Sequence, residues 1–435
     1  MSSRPPRVRS KLFLDLTPFR HSRAFGRLWL GTALGSIGQE MTVVTVALQV
    51  YAITSSTFAV SLIAGIALGP IVVIGLYGGT LADKFDRRWV AMIASVISWV
   101  AIIVLTAHAW LGGESLWLLY AAATVNSVAS TVGGITRRAV IPRLLPRELL
   151  PAAGALNGIN MGLMATVGPL LAAAAVSAGG FQTAFLLDAV LHTAAFLGVW
   201  SLPALRPLDE ARSASVGALR AVRDGLGYLR RATNIRFALT VDLVAMAFAQ
   251  PRVLYPALGA VTLGGGVTTV GVLSAAFAAG AVLSALFSGW TGGVRRQGVA
   301  ILVVSYIYAA ALAVAGLVLL AAVVWPADGT HLVAIVALAG VLAIGGAADG
   351  ISAIFRGAIL QAAVPDHLRG RVQSIFTIVV TSGPRVGDVV TGAVASLLAV
   401  WSPLVAGGLA MLLVIWLLAR RTPSFANYDR DNPEP

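Results

Sequence analysis

The sequence predicts an all-α membrane protein with twelve membrane-spanning helices in two halves of six. Three observations support this prediction. Of the 435 residues, 58% are hydrophobic and only 11% are charged, whereas soluble domains carry about 25% charged residues. Apolar segments of ~20 residues, the length needed to cross a bilayer, recur along the chain. The basic residues are concentrated in alternate connections between these segments.

The twelve spans follow from apolar length, and most connections between them are short. The longest connection follows the sixth span and therefore divides the helices six and six. In chain order the predicted spans are 25–52, 58–81, 89–110, 116–139, 151–177, 181–201, 235–257, 267–290, 299–325, 331–355, 371–399 and 402–419.

The chain accordingly divides into two tails, two halves and a linker. In the linker, leucines and arginines recur at helical spacing over 217–231, which predicts an amphipathic helix at the cytoplasmic interface; a solvated linker is the alternative. The five parts are a cytoplasmic N-terminal tail (1–24), the N-terminal half (25–201), the linker (202–234), the C-terminal half (235–419) and a cytoplasmic C-terminal tail (420–435).

The basic residues fix the orientation of the spans. With a cytoplasmic N-terminus, 29 of the 31 Lys and Arg residues fall in predicted cytoplasmic segments, and the opposite loops contain none. The positive-inside rule therefore predicts twelve spans in the cytoplasmic membrane with both termini in the cytoplasm. The two exceptions, Arg252 and Arg385, lie within predicted spans.

Composition also excludes several classes of protein. The net charge is +13, but basic residues in alternate loops indicate contact with an anionic lipid leaflet rather than nucleic acid. The chain has no cysteine and only five scattered histidines, so no metal-binding cluster is expected. No G-x-x-x-x-G-K-[ST] nucleotide loop is present. We therefore expect no cofactor, and neither an enzyme nor an ATP-driven pump.

The loop between the second and third spans carries a family motif. The loop reads GGTLADKFDRR from Gly78 to Arg88. This segment resembles the G-x-L-A-D-x-x-G-R-R signature of the major facilitator superfamily, and it departs from the signature at Asp86. This resemblance implies that Gly79, Asp83, Arg87 and Arg88 form a gating latch rather than a substrate site. The corresponding loop 288–296 keeps the arginines but lacks the acid, so we expect the second latch to be degenerate.

Two further patterns point to a two-part transporter. RRAVIPRLLPREL from Arg137 and RGAILQAAVPDHL from Arg356 are similar at an offset of 219 residues. Such repeats place the substrate near the bilayer midplane between halves that rock around it.

The glycines Gly158, Gly162 and Gly168 in the fifth span resemble an antiporter signature of the superfamily, with close helix packing as the alternative.

The resemblance extends along the chain. The stretch 251–258 resembles siderophore exporters of the superfamily, and the stretches 241–248, 369–376 and 383–388 resemble their actinobacterial drug/proton antiporter relatives. It implies proton-coupled efflux of a siderophore or similar amphipathic small molecule. A broad-specificity multidrug/proton antiporter is the alternative, and an importer also stays open. The expected partners are the solute, protons and the lipid bilayer, and the expected state is a monomer.

Ionisable residues inside predicted spans are costly in lipid and are candidates for function. Asp242 is our first candidate for the proton carrier, because a carboxylate in a low-dielectric cavity can load and release protons near neutral pH. A structural pairing with Arg252 or Arg385 is the alternative. Glu40 and Asp388 are further proton-coupling candidates.

The other buried residues suggest ion pairs. Arg385 and Asp388 are spaced i, i+3, so either a switching or a static pair is expected. Arg252 is a candidate for holding an acidic substrate. Asp349, two turns before Arg356, has either a substrate contact or an ion pair at the inner mouth. For the sixth span the sequence leaves two alternatives, a proton relay or a structural role, for Asp188 and His192 at i, i+4.

Overall fold

The computed structural model describes residues 15–203, 218–248 and 250–430. The predicted tails and the linker therefore lie partly outside the described residues. Within these ranges the chain is built from α-helices and short helical turns, and the described part contains no β-strand. The predicted all-α class is confirmed.

The N-terminal half contains six helical segments. The bend between the last two arises at Gly179 and Gly180, where Gly180 has φ +80°, a backbone conformation that favours glycine. The helices are α1 (Arg23–Thr54), α2 (Thr57–Lys84), α3 (Arg87–Trp110), α4 (Leu116–Leu144), and the two arms of Leu150–Trp200, which we label α5 (150–178) and α6 (181–200).

The C-terminal half repeats this arrangement. Its first helix is interrupted: it ends at Phe248 and continues through short helical turns over Pro251–Thr262, where two prolines limit regular α-helical hydrogen bonding. The helices are α7 (Thr233–Phe248), α8 (Gly266–Leu286), α9 (Gln297–Val324), α10 (Leu332–Ala363), α11 (Asp366–Leu397) and α12 (Ser402–Arg421).

Nine helical segments in the described part of the chain are long and apolar enough to cross a membrane. One of them, Arg147–Trp200, contains both the fifth and the sixth predicted spans. α1 and α11 occupy the first and eleventh predicted positions but are not among the nine, because polar and charged residues in their middle lower their mean hydropathy. The membrane fold is thus confirmed, and the full count of twelve spans stays a prediction.

Two helices extend beyond their predicted spans. Arg137 lies inside α4, which continues to Leu144, and Arg356 lies inside α10, which continues to Ala363. Both arginines are accommodated inside the folded protein, Arg137 beside a cavity and Arg356 in ion pairs, so neither ends its helix. The predicted spans end at residues 139 and 355, which is five and eight residues before these helices end.

Close helix contacts hold each half together. α1 packs along α5 and α6, and α8 packs along α10. In the second pair, a side chain on Gly280 would collide with the carbonyl group of Ala343, and one on Gly346 with that of Phe277. Small residues permit this backbone approach, which drives helix association in lipid.

The two halves meet through α2 against α11 and through α5 against α8. We call the end of the bundle that carries Arg143 and Arg295 the basic end. At the opposite end, the Thr57 hydroxyl donates to the Gly392 carbonyl at 3.3 Å, and a Cβ built on Gly65 lies 3.0 Å from Cγ2 of Val389. The halves are therefore in contact at the end opposite the basic residues.

The predicted helix in the linker is present as Ala218–Leu229 and packs against α11 and α2. The described part of the C-terminal tail also packs on the protein. Phe425 is 0% exposed and stacks on Phe237 with a ring-centroid distance of 4.1 Å. Asp429 pairs with Arg295 at 2.7 Å. The tail thus places a carboxylate against the loop 288–296, which itself lacks the acid of the latch motif.

Candidate transport site

A buried charge cluster lies in the C-terminal half between α7 and α10. Arg356 approaches Asp242 at 2.8 Å and Asp349 at 3.6 Å, and it donates a hydrogen bond of 2.6 Å to the Ser352 hydroxyl. The side chains of Arg356 and Asp242 are only 5% and 1% exposed, whereas that of Asp349 is 38% exposed. One arginine thus faces two carboxylates, of which one is buried and the other borders open space.

This cluster answers two questions left by the sequence. The partner of Asp242 is Arg356, and neither of the alternatives considered, Arg252 or Arg385, forms that pair. The expected ion pair of Asp349 with Arg356 is present: Arg356 is buried within the bundle, whereas Asp349 is 38% exposed.

A second ion pair lies where α7 is interrupted. Arg252 pairs with Asp388 of α11 at 3.1 Å, with side-chain exposures of 49% and 7%. Arg252 also interacts electrostatically with Glu40 of α1, in the other half. Because the residues next to Arg252 are buried, its exposed part faces open space within the bundle. Arg252 therefore lies where acidic residues of both halves interact with it.

The proposed contact between Arg385 and Asp388 is not formed. Arg385 donates a hydrogen bond to the carbonyl of Thr381, one turn earlier in the same helix. Asp388 instead points to Arg252, because the break in α7 brings that guanidinium against α11. The i, i+3 spacing identified two residues of one helix but not the partner that tertiary packing supplies.

In the N-terminal half, a cavity of about 240 Å³ lies near the basic end. It is formed by the first part of α1, the last part of α4, the first part of α5, and α6. Polar groups and apolar side chains share its wall. The lining residues on which the arguments below depend are Trp29, Ser130, Arg137, Arg138, Asn160 and His192.

Several polar atoms in this cavity have no protein partner. Asn160 and His192 are 4% and 6% exposed, and the Asn160 Oδ1 and His192 Nδ1 atoms accept or donate no hydrogen bond. The Nε of Arg137 is likewise unpartnered. Buried polar groups are normally hydrogen-bonded, so such a cluster indicates a site for a polar ligand or water. Sequence reasoning missed Arg137, although its place in the internal repeat opposite Arg356 was a usable signal.

The predicted relay on α6 is divided between two environments. Asp188 is buried against α1, accepts a hydrogen bond from the Thr42 hydroxyl and lies so close to Gly38 that a Cβ there would collide with its carboxylate. His192, one turn later, lines the cavity. No hydrogen bond joins Asp188 to His192.

The predicted latch is partly described. Arg87 donates to the Ala139 carbonyl at 2.9 Å and Arg88 to the Trp200 carbonyl at 2.7 Å, so both arginines tie the start of α3 to neighbouring helices. Asp86, where the motif has glycine, accepts from the Arg88 amide at 2.9 Å and caps α3, which explains why an acid is favourable there. The side chain of Asp83 lies outside the part that the structure describes, so the roles of Gly79 and Asp83 stay predictions.

Two helical halves that meet at one end, with buried ion pairs and a polar cavity inside, define a membrane transporter of small solutes. Residues 14–433 match the major facilitator family MFS_3, described as transmembrane secretion effector. The chain belongs to this family, which confirms the predicted superfamily and the prediction that the protein is a multi-pass transporter and not an enzyme.

Curated relatives match along almost the whole chain. The protein is 27% identical to Enterobactin exporter EntS of Citrobacter koseri over 431 residues, which are 98% of each chain. It is also 27% identical to Enterobactin exporter EntS of Shigella boydii over 406 residues, 93% of each chain. The predicted resemblance to siderophore exporters is therefore confirmed over the length of the molecule.

Solved structures support the fold. A bacterial homologue of the iron transporter ferroportin in an inward-facing state gives a TM-score of 0.68 at 15% identity, covering 93% of this chain and 98% of that chain. A POT family transporter in complex with 5-aminolevulinic acid gives 0.73 at 11% identity, with coverages of 94% and 97%. The nucleoside transporter NupG gives 0.67 at 14% identity, with coverages of 93% and 99%.

Proposed function

We propose that this protein exports a siderophore or similar amphipathic small molecule across the cytoplasmic membrane in exchange for protons, by alternating access. The observation that carries the substrate class is the similarity to enterobactin exporters over 98% of both chains. Similarity over nearly the full length of both chains favours a shared transport task.

The cluster around Arg356 is our candidate for proton coupling. Asp242 is buried and held by one guanidinium, which also reaches the more exposed Asp349. Protonation of Asp242 would weaken its attraction to Arg356 and let the arginine turn toward Asp349. Such an exchange of partners converts a proton into a movement of side chains between α7 and α10.

The charged residues between the halves are candidates for coupling the binding of solute or protons to the movement of the two halves. Arg252 pairs with Asp388 within the C-terminal half and interacts with Glu40 across the interface. Protonation of Glu40 or Asp388, or an acidic group of the solute near Arg252, would change the attraction between the halves. The exposed, central position of Arg252 supports this role better than a purely structural pairing.

The inter-half contacts support a cycle of alternating access. The contacts of Thr57 and Gly65 with α11 close the end opposite the basic residues, and the cavity lies toward the basic end. With the basic end in the cytoplasm, these contacts support an inward-facing arrangement. Gly79, Asp83, Arg87 and Arg88 form the proposed latch that stabilises the opposite state.

Inverted membrane vesicles with an imposed pH gradient test this proposal. Addition of enterobactin or a related siderophore should dissipate the gradient in vesicles that contain the protein. Asp242→Asn should abolish the response while the protein remains folded, and Glu148→Gln, which removes an exposed acid, should leave it intact. Full activity of Asp242→Asn would remove Asp242 from the coupling role.

The second candidate function is broad-specificity multidrug/proton exchange, which the mixed apolar and polar cavity wall supports. Cationic drugs that dissipate the gradient as well as siderophores do would favour this alternative. An unchanged gradient with every compound would contradict both forms of proton-coupled export.

The proposed orientation has both termini in the cytoplasm. The absence of natural cysteine makes a direct test simple, since every labelled thiol is an introduced one. In intact cells, a membrane-impermeant maleimide should label Glu114→Cys but not Glu148→Cys. The reverse pattern would invert the topology. A monomeric state stays a prediction.

A further inference from the structure

The two arginines related by the internal repeat differ in their surroundings. Arg137 of α4 corresponds to Arg356 of α10 at the offset of 219 residues. Seven residues before Arg356 stands Asp349, which pairs with it, whereas seven residues before Arg137 stands Ser130. The C-terminal half thus neutralises its arginine from within the protein, and the N-terminal half has an uncharged hydroxyl at the matching position.

Arg137 has no acidic partner among the residues that the structure describes. Within the described part of the chain no carboxylate pairs with it, and the charged side chain that influences it is Arg138. The described residues that line its cavity include no Asp or Glu. An ionisable group within a spanning helix is expensive and needs a partner. Arg137 and Arg138 together make the cavity a site of uncompensated positive charge.

The rest of the cavity wall suits an amphipathic ligand. Asn160 and His192 are more than nine-tenths buried and present unpartnered polar atoms. Trp29 is held in place by a hydrogen bond of 3.1 Å from its Nε1 to the Leu156 carbonyl, so its ring offers a fixed apolar surface. A charged anchor, a few polar groups and a mainly apolar wall are typical of small-molecule sites.

We propose that this N-terminal cavity is the binding subsite for the acidic group of an amphipathic aromatic solute, with Arg137 as its charged anchor. A carboxylate or other acidic oxygen group would take the place that Asp349 occupies beside Arg356. Asn160 and His192 would hydrogen-bond the neighbouring polar groups, and the aromatic body would lie along Trp29. The proposal rests on the transport function above and specifies its solute as an acid.

A matched pair of fluorescent probes tests the charge requirement directly. Dansylglycine carries a carboxylate where dansylglycinamide carries a neutral amide, and the two probes are otherwise the same. Purified full-length protein should bind dansylglycine about tenfold more tightly, the loss expected when a charge-assisted hydrogen bond is removed. Fluorescence titration in detergent measures both affinities at equilibrium, without a proton gradient.

Variants then assign the preference to Arg137. Arg137→Gln should abolish the preference for the acid and leave the affinity for the amide probe within about twofold, which also shows that the variant is folded. Arg137→Lys should keep much of the preference, because the positive charge remains. Arg147→Gln, which removes an exposed charge outside the cavity, should behave like the wild type.

Three outcomes would overturn the proposal: equal binding of the two probes by the wild type, an unchanged preference in Arg137→Gln, or an equal loss in Arg147→Gln. The result is separable from the transport test. Charge-dependent binding with an unresponsive pH gradient would keep the subsite and contradict proton-coupled export. Export of siderophores with no charge preference at Arg137 would contradict the subsite alone.

Discussion

Replacement of Arg356 should destabilise the protein more than replacement of its partner Asp242. Arg356→Gln leaves two carboxylates, Asp242 and Asp349, without their guanidinium. Asp242→Asn leaves Arg356 with Asp349 at 3.6 Å and with the Ser352 hydroxyl at 2.6 Å. The asymmetry follows from one cation shared by two anions.

The magnitudes follow from burial. Removing one member of a buried ion pair costs about 3–5 kcal/mol, because an uncompensated charge remains. Asp242 is 1% exposed, so Arg356→Gln should reach this range. The remaining pair in Asp242→Asn includes the 38% exposed Asp349, whose attraction solvent weakens, so a loss of about 1–3 kcal/mol is expected. The double variant replaces charges by amides and should recover most of the larger loss.

Equilibrium unfolding of the purified protein in mixed micelles measures the free energies of all four proteins. A double-mutant cycle then gives the coupling between the two positions, which we expect to reach about 3 kcal/mol. Two results would refute the reasoning: an Arg356→Gln variant as stable as the wild type, or a double variant whose loss equals the sum of the two single losses.

Three further expectations follow from contacts at the two ends and within one half. Gly65→Cys with Val389→Cys should form an oxidative cross-link that blocks transport until it is reduced, whereas either single variant should transport normally. Phe425→Ala should lower stability by about 3–5 kcal/mol, while Asp429→Asn at an exposed pair should lower it by under about 1 kcal/mol, as measured by unfolding. Gly280→Val should prevent α8 from packing on α10, and loss of monodisperse protein on gel filtration would show it.

Apolar length and charge distribution were sufficient to predict the membrane fold. Both signals are properties of the sequence itself, because lipid selects apolar spans and the cytoplasmic leaflet selects basic loops. They were insufficient for helix ends. A charge such as Arg137 resembles a loop boundary in hydropathy, yet a partner or cavity in the folded protein lets the helix continue past it.

Ion-pair partners were the least predictable feature of the site. The sequence identified Asp242, Arg252 and Asp388 as buried charges, but spacing along one helix could not reveal that Asp388 pairs with Arg252. That pairing depends on the interruption of α7 near Pro251 and on how α11 crosses it. Tertiary packing of different helices sets these partners, and local periodicity contains no information about it.

The distribution of paired and unpaired arginines suggests that the C-terminal half serves proton coupling and the N-terminal half serves solute binding. In the C-terminal half, Arg356 and Arg252 pair with acids, so protonation of those acids would change both pairs without a ligand. In the N-terminal half, no carboxylate among the described residues pairs with Arg137 in its cavity, and under our proposal an anion from outside the chain binds there. Substitutions at Asp242 should therefore affect coupling more than solute binding, and substitutions at Arg137 should do the reverse. A solute that supplies the missing negative charge would make the two halves electrostatically alike, which gives binding a direct means of favouring the change of state.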